Sequence, residues 1–216
     1  MIDPAKVPFY SNTPDDTHCF QAGMRMILGY FLPDREFSWK ELEQLSAKVE
    51  GLSTWPQQML INLRKMGFAA TMVEGFDGHA FIRNGGQYLK EAFGEETAEW
   101  QIKNSDIPQE QKLYQEAYDT GVDIQCRVPT LTDIQDYLQK GYLVAATINS
   151  RQLDGKDGYV GHFVVVLSID DQEMVLHNPG LPARQAQRVT REQFMEAWAD
   201  PNETAQNFIA IKKETI

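Results

Sequence analysis

The feature that most constrains this chain is the order in which its two apolar periodicities occur. In the first 67 residues the apolar positions recur at helical spacing. Phe20, Met24, Ile27, Leu28 and Phe31 stand three and four apart, as do Met59, Leu60, Leu63 and Met66. In the last third the apolar residues fall instead in short β-rich runs: Tyr142–Ile148, Phe163–Ile169, Met174–Leu176 and Phe208–Ile211. Helices first and strands afterwards predict an α+β fold with an antiparallel C-terminal sheet, rather than alternating βα units.

Local signals bound these elements. Asp15, Asp16 and Thr17 are cap-type residues ahead of the first helix, and Pro33 lies beyond its end. Ser38-Trp39-Lys40-Glu41 reads as a capping box, as do Thr54-Trp55-Pro56-Gln57 and Thr190-Arg191-Glu192-Gln193. A short strand is expected at Phe68–Val73 after the stop at Gly67, and a helix over Thr130–Lys140. Asp170-Asp171-Gln172 reads as a hairpin turn. Residues 75–129 carry six glycines and only one clear helical stretch, near Gln109–Tyr118. The expectation is one domain over residues 1–216, with 75–129 an insertion or lid.

Charge narrows the partners. A formal net charge of -11 opposes phosphate backbones and anionic lipid surfaces, so neither nucleic acid nor membrane is an expected partner. No apolar run approaches the roughly 18 residues of a membrane span. The start, Met1-Ile2-Asp3-Pro4, has no basic segment followed by an apolar stretch, so the expected location is cytoplasmic; a mature secreted protein whose leader has been removed would read the same. Cys19 and Cys126 are too few for a disulfide framework. No paired Cys-x-x-Cys or His spacing suggests a metal, and no cofactor is expected.

Cys19 opens the first apolar helix. The positive end of a helix lowers a nearby thiol pKa, and a neighbouring imidazole can hold the proton as an ion pair. Of the four histidines, His18 adjoins Cys19 and points elsewhere on a helix, His79 lies in the insertion, and His177 alternates with Asn178 across a strand. His162 starts a strand after a glycine, in Gly161-His162-Phe163-Val164-Val165-Val166. Asn178, in His177-Asn178-Pro179-Gly180, would return beside it across a hairpin and fix the imidazole tautomer. Taken alone, Cys19 could be a buried structural thiol, His162 a hydrogen-bonded strand residue and Asn178 a turn residue. Cys126, in the strand-like Ile124-Gln125-Cys126-Arg127, reads as an ordinary thiol.

The segment Thr17-His18-Cys19-Phe20-Gln21-Ala22-Gly23-Met24 resembles the nucleophile segment of papain-like peptidases. It is most similar to the branch typified by the N-terminal processing domains of bacteriocin exporters and their free-standing relatives. Ala22 matches an alanine of that branch three residues past the cysteine, the His162 strand matches its histidine strand, and Asn178-Pro179 stands where the branch has Asp-Pro. Thr54–Gly67 is similar to its Leu-rich helix. The resemblance covers the first 70 residues and 140–180. It implies a papain-like fold, a peptide or protein substrate, and Cys19, His162 and Asn178 as nucleophile, base and orienting residue. The 143 positions from Cys19 to His162 fall within the papain-type window of about 130–150 residues. Two positions depart: Phe20 replaces the usual glycine, and the oxyanion-donating glutamine about six residues before the cysteine is missing. Asn12 supplies an amide one position earlier and is the expected oxyanion residue. The expected function is hydrolysis of a peptide, isopeptide or amide bond through a Cys19 thioester. The alternatives are an acyltransferase using the same thioester, or a non-catalytic binding protein that keeps the fold.

Overall fold

The computed structural model describes residues 2–214. Helix α1 (Cys19–Phe31) runs as its periodicity predicts, with Met24, Ile27 and Leu28 fully buried. Helix α2 (Trp39–Leu45) is capped by Ser38, whose hydroxyl accepts from the Glu41 N–H. Helix α3 (Gln57–Lys65) starts after Pro56 without a side-chain cap. The capping box expected at Thr54 is therefore not formed; the Thr54 hydroxyl accepts from the Gln21 amide at 2.9 Å instead, so a tertiary hydrogen bond has displaced the local one.

Strand β1 (Phe68–Glu74) follows, one residue longer than expected. Residues 75–129 hold more structure than their glycines suggest: α4 (Gly78–Asn84), α5 (Gly86–Phe93), α6 (Glu95–Asn104), α7 (Ile107–Asp119) and the strand β2 (Asp123–Cys126). Several of these glycines punctuate helices; Gly85 and Gly94 carry φ of 50° and 80° between consecutive short helices, a conformation glycine adopts freely. Phe76, Phe81, Leu89, Phe93, Ala98, Ile107 and Tyr114 make a separate apolar cluster for this region. Its aromatic composition hid α4, α5 and α6 from periodicity, while α7 covers the helical stretch expected near Gln109–Tyr118.

The last third holds α8 (Leu131–Gln139), β3 (Leu143–Asn149), the single turn α9 (Ser150–Leu153), β4 (Gly161–Ile169), β5 (Glu173–Asn178), β6 (Arg184–Thr190), α10 (Arg191–Trp198) and β7 (Asn207–Lys213). Thr130 and Thr190 both close reciprocal capping boxes. Strand β6, Arg-Gln-Ala-Gln-Arg-Val-Thr, is polar and escaped the β-rich pattern; as an outer strand it buries only Val189. The seven strands form one sheet in the order β2-β1-β7-β3-β4-β5-β6. The pairings from β1 to β6 are antiparallel, but β1 and β2 pair in parallel, so the sheet is mixed and recruits two strands from the first 126 residues.

Both sheet faces are covered. Met72, Ala145, Phe163, Val165 and Ile209 pack beneath α1 and α3 on one side; Val144, Val164, Val166, Leu176 and Phe208 pack beneath α8 and α10 on the other. Strand β4 is buried on both faces, which is why it reads as an unbroken apolar run.

Candidate active site

Cys19 is the first residue of α1, so its own N–H lies in the first turn, where no intrahelical acceptor exists. The thiol reaches the sheet because of Gly23, one turn along the same helix face. A Cβ there would stand 2.7 and 2.8 Å from two ring carbons of Phe163. Only glycine lets α1 lie this close to β4, and the residue before Phe163 is His162. Phe20, in the position where the resembled family has glycine, packs edge-on against the same ring with centroids 4.8 Å apart.

His162 is 7% exposed and lines the same cleft as Cys19. Its Nε2 lies 2.8 Å from Asn178 Oδ1. That oxygen also accepts the Gly180 N–H at 3.0 Å, which fixes the amide orientation because a backbone N–H needs an acceptor. Gln187 Oε1 accepts from Asn178 Nδ2 at 2.8 Å. Nε2 therefore carries a proton, and Nδ1 is the nitrogen left for the thiol. Gly180 is sterically tied to this arrangement: a Cβ would come within 3.1 Å of Asn178 Oδ1 and 3.2 Å of His162 Nε2.

Burial pushes the Cys19 thiol up, but the hydrogen bond and charge of His162, with the Phe163 N–H donated to sulfur, more than offset it and hold the thiol below its ordinary pKa. Burial lowers His162, and the hydrogen bond and charge of Cys19, then Asn178 and Asp16, carry it above the ordinary imidazole value. Both directions favour a thiolate–imidazolium pair.

The other histidines are occupied elsewhere. His18 contacts Thr13 Oγ1 at 2.7 Å and Glu43 Oε1 at 2.9 Å. His177 sits between the Val7 carbonyl at 3.2 Å and the Ala186 N–H at 3.1 Å, with its pKa lowered by burial. His79 stacks on Tyr118. Cys126 is exposed, and partial burial with the charges of Asp77 and Glu74 raises its pKa.

Asn12 is buried, and it is not among the residues lining the cleft around Cys19. Its Oδ1 accepts the His18 N–H at 2.8 Å and the Thr13 N–H at 2.9 Å, and its Nδ2 donates to Asp16 Oδ1 at 2.7 Å. The amide thus orders the turn that leads into α1. Asp16 does line the cleft and holds a positive φ of 56°, and its charge acts to raise the pKa of both Cys19 and His162. Sequence reasoning took Asp16 for a cap-type residue and passed over Gly23, Gly180 and Gln187; of these three only the glycines left a signal, in their position beside the nucleophile and orienting segments.

The cleft has a volume of about 310 Å3 and extends from Cys19, His162 and Asn178 to residues of the 75–129 region. Trp100 of α6 is one of these, and its ring stands 3.4 Å from where a Cβ on Gly161 would project. Among the described residues, no three His, Cys, Asp or Glu side chains converge as a metal site requires, and no helix is long and apolar enough to cross a membrane.

The comparisons with known proteins fit this geometry. The model of the Peptidase_C39 like family matches residues 4–205. The peptidase domain of Streptococcus ComA, described as a bi-functional ABC transporter involved in a quorum sensing pathway, is similar in structure. Its TM-score is 0.52 at 12% identity, covering 95% of this chain and 97% of that one. A putative C39-like peptidase from Bacillus anthracis is similar with a TM-score of 0.50 at 14% identity, covering 98% and 97%. At these identities the likeness establishes the fold, the papain-like α+β architecture. No curated protein matches the sequence.

Proposed function

We propose that this chain, which belongs to the Peptidase_C39 like family, hydrolyses a peptide, isopeptide or amide bond through a thioester on Cys19. The observation that carries the reading is the doubly donated Asn178 Oδ1, which fixes the His162 tautomer and leaves Nδ1 to the thiol. In this reading the Cys19 thiolate attacks the substrate carbonyl carbon. The oxyanion forms opposite the Cys19 N–H at the positive end of α1, which supplies a backbone donor where Asn12's amide is engaged with Asp16. His162 passes its proton to the leaving nitrogen as the C–N bond breaks. It then takes a proton from the water that attacks the thioester, releasing the acid and restoring the pair. Residues 75–129 act as the far wall of the substrate cleft, supported by Trp100, Phe76 and Tyr114 lining it.

A non-catalytic binding role is the second reading, favoured by the engagement of Asn12 and by the carboxylate of Asp16 beside the thiol. The test is a peptide mixture digested in 18O water with products read by mass spectrometry. Hydrolysis puts 18O in new C-termini, and Cys19→Ala abolishes it. Capture of the acyl group by an added amine in preference to water reassigns the chain to acyl transfer. No product, together with a Cys19 alkylated no faster than Cys126 at pH 6, makes it a binding protein.

A further inference from the structure

Glu74, at the end of β1, shares the cleft with Cys19 but has no part in the relay. It is 2% exposed. Its Oε2 accepts the Tyr114 hydroxyl at 3.0 Å, while Oε1 has no partner. A buried carboxyl oxygen left unsatisfied is expensive, and Glu74 is a residue of the cleft lining rather than of the packed core clusters. Trp55, Phe76 and Tyr114 wall the same region, with ring centroids 5.7 to 6.0 Å apart in each pair.

We infer that Glu74 is the floor of a specificity pocket for a lysine or arginine side chain of the substrate. Aromatic walls suit the methylene stem of such a residue and attract its cation, and the free Oε1 receives its N–H. The rest of the cleft agrees in sign. Asp16 and Asp200 line it, Asp154 is neutralised by Arg184 at 2.7 Å, and among the described residues Arg184 is the only Lys or Arg in the lining. An acidic substrate side chain would find no free cation there, and an aliphatic one would leave Oε1 unpaired.

Burial raises the Glu74 pKa to about 8, with Tyr114 lowering it and Asp77 raising it. The empty pocket therefore holds a neutral carboxyl, and an arriving cation ionises it and releases a proton to solvent. Besides Tyr114 and Asp77, the groups whose charges couple to Glu74 are Tyr118 of α7 and Cys126 of β2, with Tyr88 of α5. These are neutral at pH 7, apart from Asp77, so the preference for a cation should strengthen as pH rises from 6 toward 8.

The inference rests on the peptidase reading for its substrate, and the experiment has two arms that fail separately. In the first, peptidyl chloromethyl ketones that differ only in carrying lysine, norleucine, glutamine or glutamate label Cys19, followed by intact mass. Lysine should outpace norleucine by about tenfold or more, the value of one charge-assisted hydrogen bond. Glu74→Gln should collapse that ratio, and Glu74→Met should reverse it toward norleucine. Iodoacetamide, which has no side chain to place, reports the thiol of each variant separately. In the second arm, binding of n-pentylamine against n-pentanol is measured by ligand-observed NMR on Cys19→Ala, where no chemistry is needed. Amine binding lost in Glu74→Gln supports the pocket even if no chloromethyl ketone reacts. Equal rates for lysine and norleucine, a glutamine preference, or amine binding that survives Glu74→Gln overturns it.

Discussion

Replacing Gly23 with alanine should disarm Cys19 while leaving the protein folded. A methyl group at that position would begin 2.7 Å from the Phe163 ring, whereas carbon atoms settle at about 3.5–4.0 Å. The ring cannot retreat freely: Phe163 is 5% exposed and held edge-on by Phe20. The strain therefore falls on the spacing between α1 and β4, by about 1 Å. Alanine gains about 1 kcal/mol of helix propensity over glycine, and overpacking costs about 1–3 kcal/mol, so the net loss is about 0–2 kcal/mol. For a chain of 216 residues that lowers Tm by no more than about 8 °C. Cys19, one turn away, moves with the helix, and a misplacement of about 1 Å can cost about a hundredfold in rate. The assay is iodoacetamide alkylation at pH 6 with peptide mapping, Cys126 serving as the internal reference. Gly29→Ala, near the other end of α1 and meeting only Pro8 at 3.0 Å, takes the same propensity gain and should leave the Cys19 rate at the wild-type level. If Gly23→Ala keeps the wild-type rate, α1–β4 spacing does not align the thiol. If it unfolds the chain, the packing cost has been misjudged.

Three further outcomes follow from the same contacts. Cys19 is held below and His162 above its ordinary pKa, so alkylation should form a plateau that falls away as pH drops through the lowered thiol pKa. His162→Ala should move that fall upward past neutral, because burial and Asp16 then act unopposed by the imidazole, and Asn178→Ala should move it less. Gly180→Ala should weaken the His162–Asn178 hydrogen bond by wedging a methyl against both groups, visible as loss of the downfield Nε2 proton in NMR; an unchanged resonance would contradict the steric argument. Glu110, 4% exposed with Oε2 unpartnered, has its carboxyl raised to about 8, chiefly by burial. The folded state then binds a proton that the unfolded state lacks between the ordinary carboxyl value and pH 8, so stability falls as pH rises across that window. Glu110→Gln should remove its share of the decline in urea denaturation measured from pH 5 to 8, Glu74 contributing another share over the same window, and an unaltered slope would place the proton elsewhere.

What the sequence made legible follows from how far each signal reaches. Helix α1, the Thr130 and Thr190 capping boxes and the apolar run of β4 are written in residues a few positions apart, and they appear where local chemistry puts them. The juxtaposition of His162 and Asn178 needed only the β4–β5 hairpin, itself a short-range feature. Three of the four helices of 75–129, α4 to α6, were obscured because a shared aromatic cluster, not a continuous stripe on any one helix, supplies their burial, whereas α7 showed in the stretch near Gln109–Tyr118. Asn12 is the instructive case. Its amide is the right group at nearly the right distance along the chain, yet side-chain chemistry does not say where that group points. The turn ahead of α1 needed its carbonyl for the His18 N–H, and Asp16, in a left-handed conformation, took its N–H. One backbone and one side-chain demand of that turn engage the amide that an oxyanion role would require to face the cleft. The same reasoning locates Glu74: nothing around it in Thr-Met-Val-Glu distinguishes a strand-end carboxylate from a solvated one, and only α7, arriving with Tyr114 from 40 residues away, turns it into a buried group with one oxygen still unspent.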